Sequence, residues 1–296
     1  MSVIRSIKRV LAKSFPRTTQ GYRRLKAAVY VRYFGLFPTL ASEIREFRQK
    51  AHKAHRTSFG MNLVGPSYLI EPGVEKEEIG LIEKKLHQID VFVDVGANVG
   101  LYTCLAASKG CSVVAIEPLA SNLRYLYQNL KDNNLRSVEV FPIGLSSAPG
   151  LSNLGGIGAQ ASFLPNWAEE GWGFNKHIQT VCPVSTLDIV LGSRFSGRRM
   201  LVKIDVEGFE SEVLRGAIAT LDMSPKPVWI VECFLDSFHP GGMNPHFLEV
   251  FTAFFERGYR AQVASLDGAV VTRETVSEWA RQGRVESGVN NFCFEL

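Results

Sequence analysis

Asp94-Val95-Gly96-Ala97-Asn98-Val99-Gly100 puts an acid and two glycines where an apolar run, VFVDV, gives way to a helical pattern. Glycine permits a tight turn and close approach of a ligand to the backbone, and the opening turn of a helix presents free N–H groups. Glu117 closes the next apolar run, SVVAIE, 21 residues after Gly96. A carboxylate at that place can accept both hydroxyls of a ribose. Loop and acid together specify a cofactor that contains a nucleoside. The dinucleotide fingerprint G-x-G-x-x-G needs glycine at 96, 98 and 101, whereas the chain has Gly96, Asn98 and Leu101. S-adenosylmethionine has no pyrophosphate to cradle, and its amino-acid end carries an ammonium that Asp94 and the loop backbone would suit. Without a ligand, the two glycines would serve tight helix–strand packing and Glu117 would be an exposed strand end. The strand–helix context at both places favours the ligand.

A second group of acids follows further on. Asp205 and Glu207 end the run LVKID-VEG, and residues i and i+2 of a strand point the same way, so both carboxylates could face an acceptor. A sugar hydroxyl is a poor nucleophile at neutral pH, and a positioned base would speed its attack by about 10²–10⁴-fold. Closely placed carboxylates raise one another's pKa, which favours one of them as the base. They would otherwise bind the cofactor's ammonium or cap the next helix. Glu232 ends a further apolar run, and His239 follows it in the loop DSFHPGG, either as a base or simply exposed. Asp205, Glu207 and Glu232 could gather a divalent cation, but their spacing matches no dedicated metal loop and no metal is expected.

These groups must be held at the ends of strands. Val91–Val95, Ser112–Glu117, Val138–Leu145, Leu201–Asp205 and Val228–Phe234 read as apolar strands. Val99–Lys109, Leu119–Asn133, a stretch from about Glu210, and Pro245–Arg257 read as helices. Tyr259–Ser265 and Asn291–Leu296 read as closing strands. Strands apolar throughout and separated by helices imply an α/β fold whose parallel sheet is covered on both faces. Ser146–Pro183, rich in Gly, Ser and Asn and carrying Trp167 and Trp172, breaks the rhythm. It reads as a substrate lid or as an edge hairpin.

Composition narrows the setting. The 296 residues are 46% apolar, enough for a sizeable core. No apolar stretch reaches the ~20 residues of a membrane span. The first residues lack the pattern of a signal peptide. Five widely spaced cysteines without C-x-x-C predict buried, reduced thiols and a cytoplasmic protein. Charge is uneven: residues 1–56 hold 14 Lys/Arg against 2 Asp/Glu, and the remaining 240 hold 19 against 27. The acidic main body argues against a nucleic-acid groove, so no nucleic acid is expected as a partner. Residues 1–60 read as a basic helical N-terminal extension and 61–296 as the main domain. The extension reads as a packed cap, as a peripheral membrane contact through residues 1–35, or as a transit peptide.

VDVGANVGLYT (Val93–Thr103), VVAIEP (Val113–Pro118), STLDIVL (Ser185–Leu191) and VKIDVEGFESEVLRGA (Val202–Ala217) resemble, in the same order, the FkbM family of S-adenosylmethionine-dependent methyltransferases. The resemblance covers about residues 66–296. It implies a class I methyltransferase, Rossmann-like fold: a seven-stranded, mostly parallel sheet with the last strand antiparallel. It also implies O-methylation of a sugar, glycolipid or natural-product hydroxyl. Asp94, Gly96, Asn98 and Gly100 would line the methionine end of the cofactor, Glu117 would hold the ribose, and Pro118 would lie beside the adenine. Asp205, Glu207 and Gly208 would face the methyl group and acceptor. Two alternatives stay open: a methyltransferase of nucleic acid or protein, and a non-catalytic S-adenosylmethionine-binding protein. Against the first, the fourth strand ends in Asp-Val-Glu-Gly, not in the Asn/Asp-Pro-Pro-aromatic motif that clamps an amino group.

Overall fold

The computed structural model describes residues 54–71, 73, 75–167, 179–236, 239–285 and 289–296. The readings of residues 1–53, the membrane contact through residues 1–35 among them, lie outside the described residues, as does Trp172.

Strands β1 (Ala54–Arg56) and β2 (Asn62–Val64) form an antiparallel hairpin, and helices α1 (Ser67–Ile70) and α2 (Lys76–Leu86) lead from it into β3 (Val91–Val95). There follow α3 (Leu101–Ser108), β4 (Ser112–Ile116), α4 (Ala120–Asp132) and β5 (Val138–Phe141). Next come β6 (Gly144–Leu145), β7 (Gly150–Gly155), β8 (Gln179–Ser185), α5 (Leu187–Leu191) and β9 (Met200–Ile204). The order closes with α6 (Glu210–Arg215), α7 (Ile218–Leu221), β10 (Val228–Glu232), α8 (Phe247–Phe255), β11 (Arg260–Val263), β12 (Val270–Val271), α9 (Arg273–Gln282) and β13 (Asn291–Glu295).

The main sheet has the order β12-β11-β13-β10-β9-β3-β4-β5. Strands β10, β9, β3, β4 and β5 are mutually parallel, while β13 runs antiparallel to both β10 and β11. Apart from the two-residue edge strand β12, this is the class I methyltransferase sheet. From β3 the chain turns outward to β4 and β5, and β9 lies on the other flank of β3. The carboxyl ends of β3 and β9 therefore mark the point where strand order reverses, the usual ligand crevice of such sheets.

Both faces of the sheet are buried, which is why its strands read as unbroken apolar runs. Val91, Val93 and Val95 pack on one face with Val213, Phe251 and Trp279, drawn from α6, α8 and α9. Phe92 packs on the other with Ile82, Leu105 and Leu126, from α2, α3 and α4. All five cysteines are buried and free, as expected.

Two details differ from the sequence reading. Ala54–Arg56 is a strand rather than part of a helical segment. Buried Asn129 of α4 ties the following strand down, accepting from Val64 N–H at 2.7 Å and donating to the Val64 and Val99 carbonyls. The run Val138–Leu145 divides at Pro142 into β5 and β6, and β6 belongs to a separate three-stranded sheet with β8 and β7. STLDIVL builds helix ends: Thr186 caps α5 by accepting from Ile189 N–H, and Asp188 accepts from Ala219 and Thr220 at the start of α7.

Candidate functional site

An open cleft lies over the carboxyl ends of β3, β4, β9 and β10. Gly96, Asn98, Glu117, Pro118, Asp205, Glu207 and Glu232 line it. The turn after β3 follows from its sequence. Gly96 (φ 86) and Asn98 (φ 52) both take left-handed backbone, which glycine and asparagine tolerate best. A Cβ on Gly96 would lie 1.9 Å from the Asp205 carbonyl oxygen, so the glycine lets the two strand ends meet.

Glu117 fastens this turn to β4. Its Oε2 accepts from Asn98 N–H at 2.8 Å, and its Oε1 accepts from Leu119 N–H at 2.8 Å and from the Asn122 amide at 3.3 Å. A carboxylate offers about four acceptor sites, so a ribose hydroxyl can still be received. Burial pushes its pKa up to about 7. The buried Asn98 Oδ1 has no partner and marks a further place for a ligand donor. The cleft therefore fits an adenosyl cofactor.

Asp94 and Gly100 lie behind the wall of this cleft. Asp94 is 2% exposed and accepts from Thr103 Oγ1 at 2.5 Å; burial raises its pKa to about 6. Gly100 starts α3, where a Cβ would strike Leu126. Both shape the turn from beneath.

Asp205, Glu207 and Glu232 each place a carboxyl oxygen within 4.8 Å of the others. Beneath them Lys203, 2% exposed, donates to Asp205 Oδ2 at 2.8 Å, lies 3.6 Å from Glu78 of α2, and sits 4.6 Å from the centre of the Tyr102 ring. Burial opposes ionisation of Asp205, but the Lys203 ammonium and hydrogen bonds from Glu232 and Lys203 offset it and hold the carboxyl below its usual range. Burial and then the Asp205 charge push Glu232 well up. Burial, Asp205 and Glu210 push Glu207 up to about 9. At neutral pH the cluster thus holds one carboxylate, Asp205, between an ammonium and a protonated neighbour.

Glu207 is in left-handed backbone (φ 56), unusual for a residue with a Cβ. Trp167 holds its side chain, donating from the indole N–H to Glu207 Oε2 at 3.1 Å. Fully buried, Trp167 stands against Gly208, where a Cβ would come within 2.7 Å of its ring. The segment after β6 therefore carries both a hairpin, β7–β8, and a reach across to the acid cluster. His239 stands edge-on to the Trp167 ring at 6.1 Å, its Nδ1 2.9 Å from the Pro240 carbonyl; it does not line the cleft. The sequence reading missed Lys203 and Glu78. Its available clue was the lysine in LVKID, a charge inside a strand otherwise apolar, which demands buried acids nearby.

Burial raises the pKa of Glu78, Glu117 and Glu210 to about 7 and that of Asp94 to about 6. An acid raised on folding contributes stability below its unfolded pKa and loses that contribution as pH climbs through the folded value. Asp205, shifted the other way, is already ionised above pH 5 and does not oppose the trend. The Tm of the ligand-free protein is expected to fall between pH 5 and pH 8 in scanning calorimetry; a Tm rising across that window contradicts these burials.

The family model "Methyltransferase FkbM domain" matches residues 94–261. The AMB antimetabolite synthetase AmbE of Pseudomonas aeruginosa is 36% identical over 161 residues, 43% of this chain and 8% of that protein. The hexuronic acid methyltransferase AglP of Haloferax volcanii is 30% identical over 144 residues, 48% of this chain and 56% of that protein. The chain thus spans little more than half of one curated relative and under a tenth of the other. Among solved structures, a precorrin-6y C5,15-methyltransferase from Geobacter metallireducens superposes with a TM-score of 0.41 at 13% identity, over 78% of this chain and 91% of that one. An S-adenosylmethionine-dependent methyltransferase from Aquifex aeolicus superposes with a TM-score of 0.36 at 14% identity, over 67% and 85%. The match spans more than half of the sequence, and the cleft at the strand-order reversal suits an adenosyl group: the chain belongs to the FkbM family of S-adenosylmethionine-dependent methyltransferases.

Proposed function

We propose that this methyltransferase O-methylates a hydroxyl of a sugar, glycolipid or related natural product, with Asp205 taking the hydroxyl proton. The single observation behind this reading is the Lys203–Asp205 pair at 2.8 Å, which keeps one carboxylate ionised at the cleft floor among protonated neighbours. S-adenosylmethionine supplies the electrophilic methyl group. The protein's own part is alignment of an acceptor oxygen, at near-attack distances of roughly 3–3.5 Å, and removal of its proton. Protonated Glu207, fixed by Trp167, donates a hydrogen bond that orients the acceptor oxygen. The name of the Haloferax volcanii relative points the same way, towards sugars.

Charge disfavours a nucleic-acid acceptor. Among the described residues, the cleft wall carries no Lys, Arg or His, so it offers no cationic side chain to neutralise a phosphate. Residues 61–296 are taken as the catalytic domain. Among the described residues no helix is long and apolar enough to cross a membrane.

The test is transfer of labelled methyl from S-adenosylmethionine to a panel of glycans, glycolipids and RNA. Label is expected on a glycan or glycolipid, unchanged by EDTA and lost with Asp205→Asn. Label on RNA alone would overturn the assignment.

A further inference from the structure

Glu75 is a carboxylate at the cleft that neither the ribose nor the acceptor accounts for. It lies on the approach to α2, exposed at the cleft mouth, and lines the same space as Gly96 and Asn98. Its backbone is left-handed, φ 46 and ψ 36, a conformation that disfavours a side chain with a Cβ. Five residues other than glycine have positive φ among those described, and three of them, Glu75, Asn98 and Glu207, line this cleft. Such strain gathers where a side chain must be presented to a ligand. Tyr102, in the helix that leaves the glycine turn, donates to Glu75 Oε2 at 2.6 Å and so aims the carboxylate while leaving its second oxygen open. Asp94, expected from sequence to meet the amino-acid end of the cofactor, is committed elsewhere: it is buried, bonded to Thr103, and paired in register with Lys203 on β9.

We propose that Glu75 binds the α-ammonium of S-adenosylmethionine, the role that sequence spacing assigned to Asp94. This rests on the cofactor's occupying the described cleft. The chemistry is that of a charge-assisted hydrogen bond between carboxylate and ammonium at the edge of a site whose centre is reserved for the methyl group. Tyr102 is the positioning residue, acting through Glu75.

Two probes separate this role from a general one. S-adenosylhomocysteine keeps the amino-acid end; 5′-methylthioadenosine has the same nucleoside and thioether without it. In calorimetric titration, Glu75→Gln is expected to weaken S-adenosylhomocysteine by about tenfold or more, while 5′-methylthioadenosine binds within twofold of wild type. Tyr102→Phe is expected to shift the first affinity in the same direction by less and to spare the second. Equal losses for both probes, or no loss for either, overturn the proposal. Loss of 5′-methylthioadenosine binding through misfolding counts among the equal losses. A wild-type protein that binds neither probe removes the cofactor site itself, a failure distinct from that of Glu75 alone.

Discussion

Gly96→Ala is expected to abolish both cofactor binding and methyl transfer. The new methyl would lie 1.9 Å from the Asp205 carbonyl oxygen and 2.9 Å from its carbon, and neither atom belongs to a flexible side chain. The residue's φ of 86 adds backbone strain of roughly 1–2 kcal/mol for any residue with a Cβ. Relief requires β3 and β9 to part at the point where Asp205 N–H donates to the Val95 carbonyl at 3.0 Å. Gly110 supplies the control: its φ is also 86, but a Cβ there meets nothing within 4 Å. Gly110→Ala should show the strain alone, a Tm lowered by a few degrees with binding intact. Calorimetry with S-adenosylhomocysteine on both variants decides it. Similar behaviour of the two would refute the contact between the glycine turn and Asp205.

Asp205→Asn is expected to lower kcat by about 10²–10⁴-fold, the usual contribution of a positioned base, with S-adenosylhomocysteine affinity held within severalfold. It also leaves Lys203 facing a neutral amide while 2% exposed, and removing one partner of a buried pair costs about 3–5 kcal/mol. The double variant Asp205→Asn/Lys203→Met separates the two effects. It should recover much of the lost stability, since a buried pair can be replaced by apolar groups at little cost, and none of the rate. A recovered rate would rule Asp205 out as the base. Glu207→Gln is expected to keep most activity, because an amide still donates to the acceptor. Wild-type activity should fall as pH rises past about 9, where Glu207 ionises, and that fall should be absent from Glu207→Gln.

Much of this was legible in the letters. VFVDV, SVVAI and VWIVE read as strands because a sheet covered on both faces demands apolar residues on both sides of the strand, and the glycine turn with Glu117 is a local pattern. What remained hidden was tertiary. Asp94 looks like a ligand-facing acid until the register with Lys203 and the bond from Thr103 turn it inward. Glu75 carries no local mark, since its placement depends on Tyr102, 27 residues away. Trp167 could be seen only as an aromatic in an irregular segment; its bond to Glu207 spans 40 residues. His239 shows the converse, a residue of the right chemistry that packs against Trp167 instead of entering the cleft.

Strand β13 bears on how the chain is made. It is the last strand of the sheet in sequence, yet it lies between β10 and β11, which pair with it and not with each other. During vectorial synthesis β10 must wait as an open edge, about 60 residues of nascent chain before its neighbour emerges. Unprotected edges invite pairing with other chains. The ribosome-bound intermediate, rather than the finished enzyme, is therefore where chaperones should be needed most.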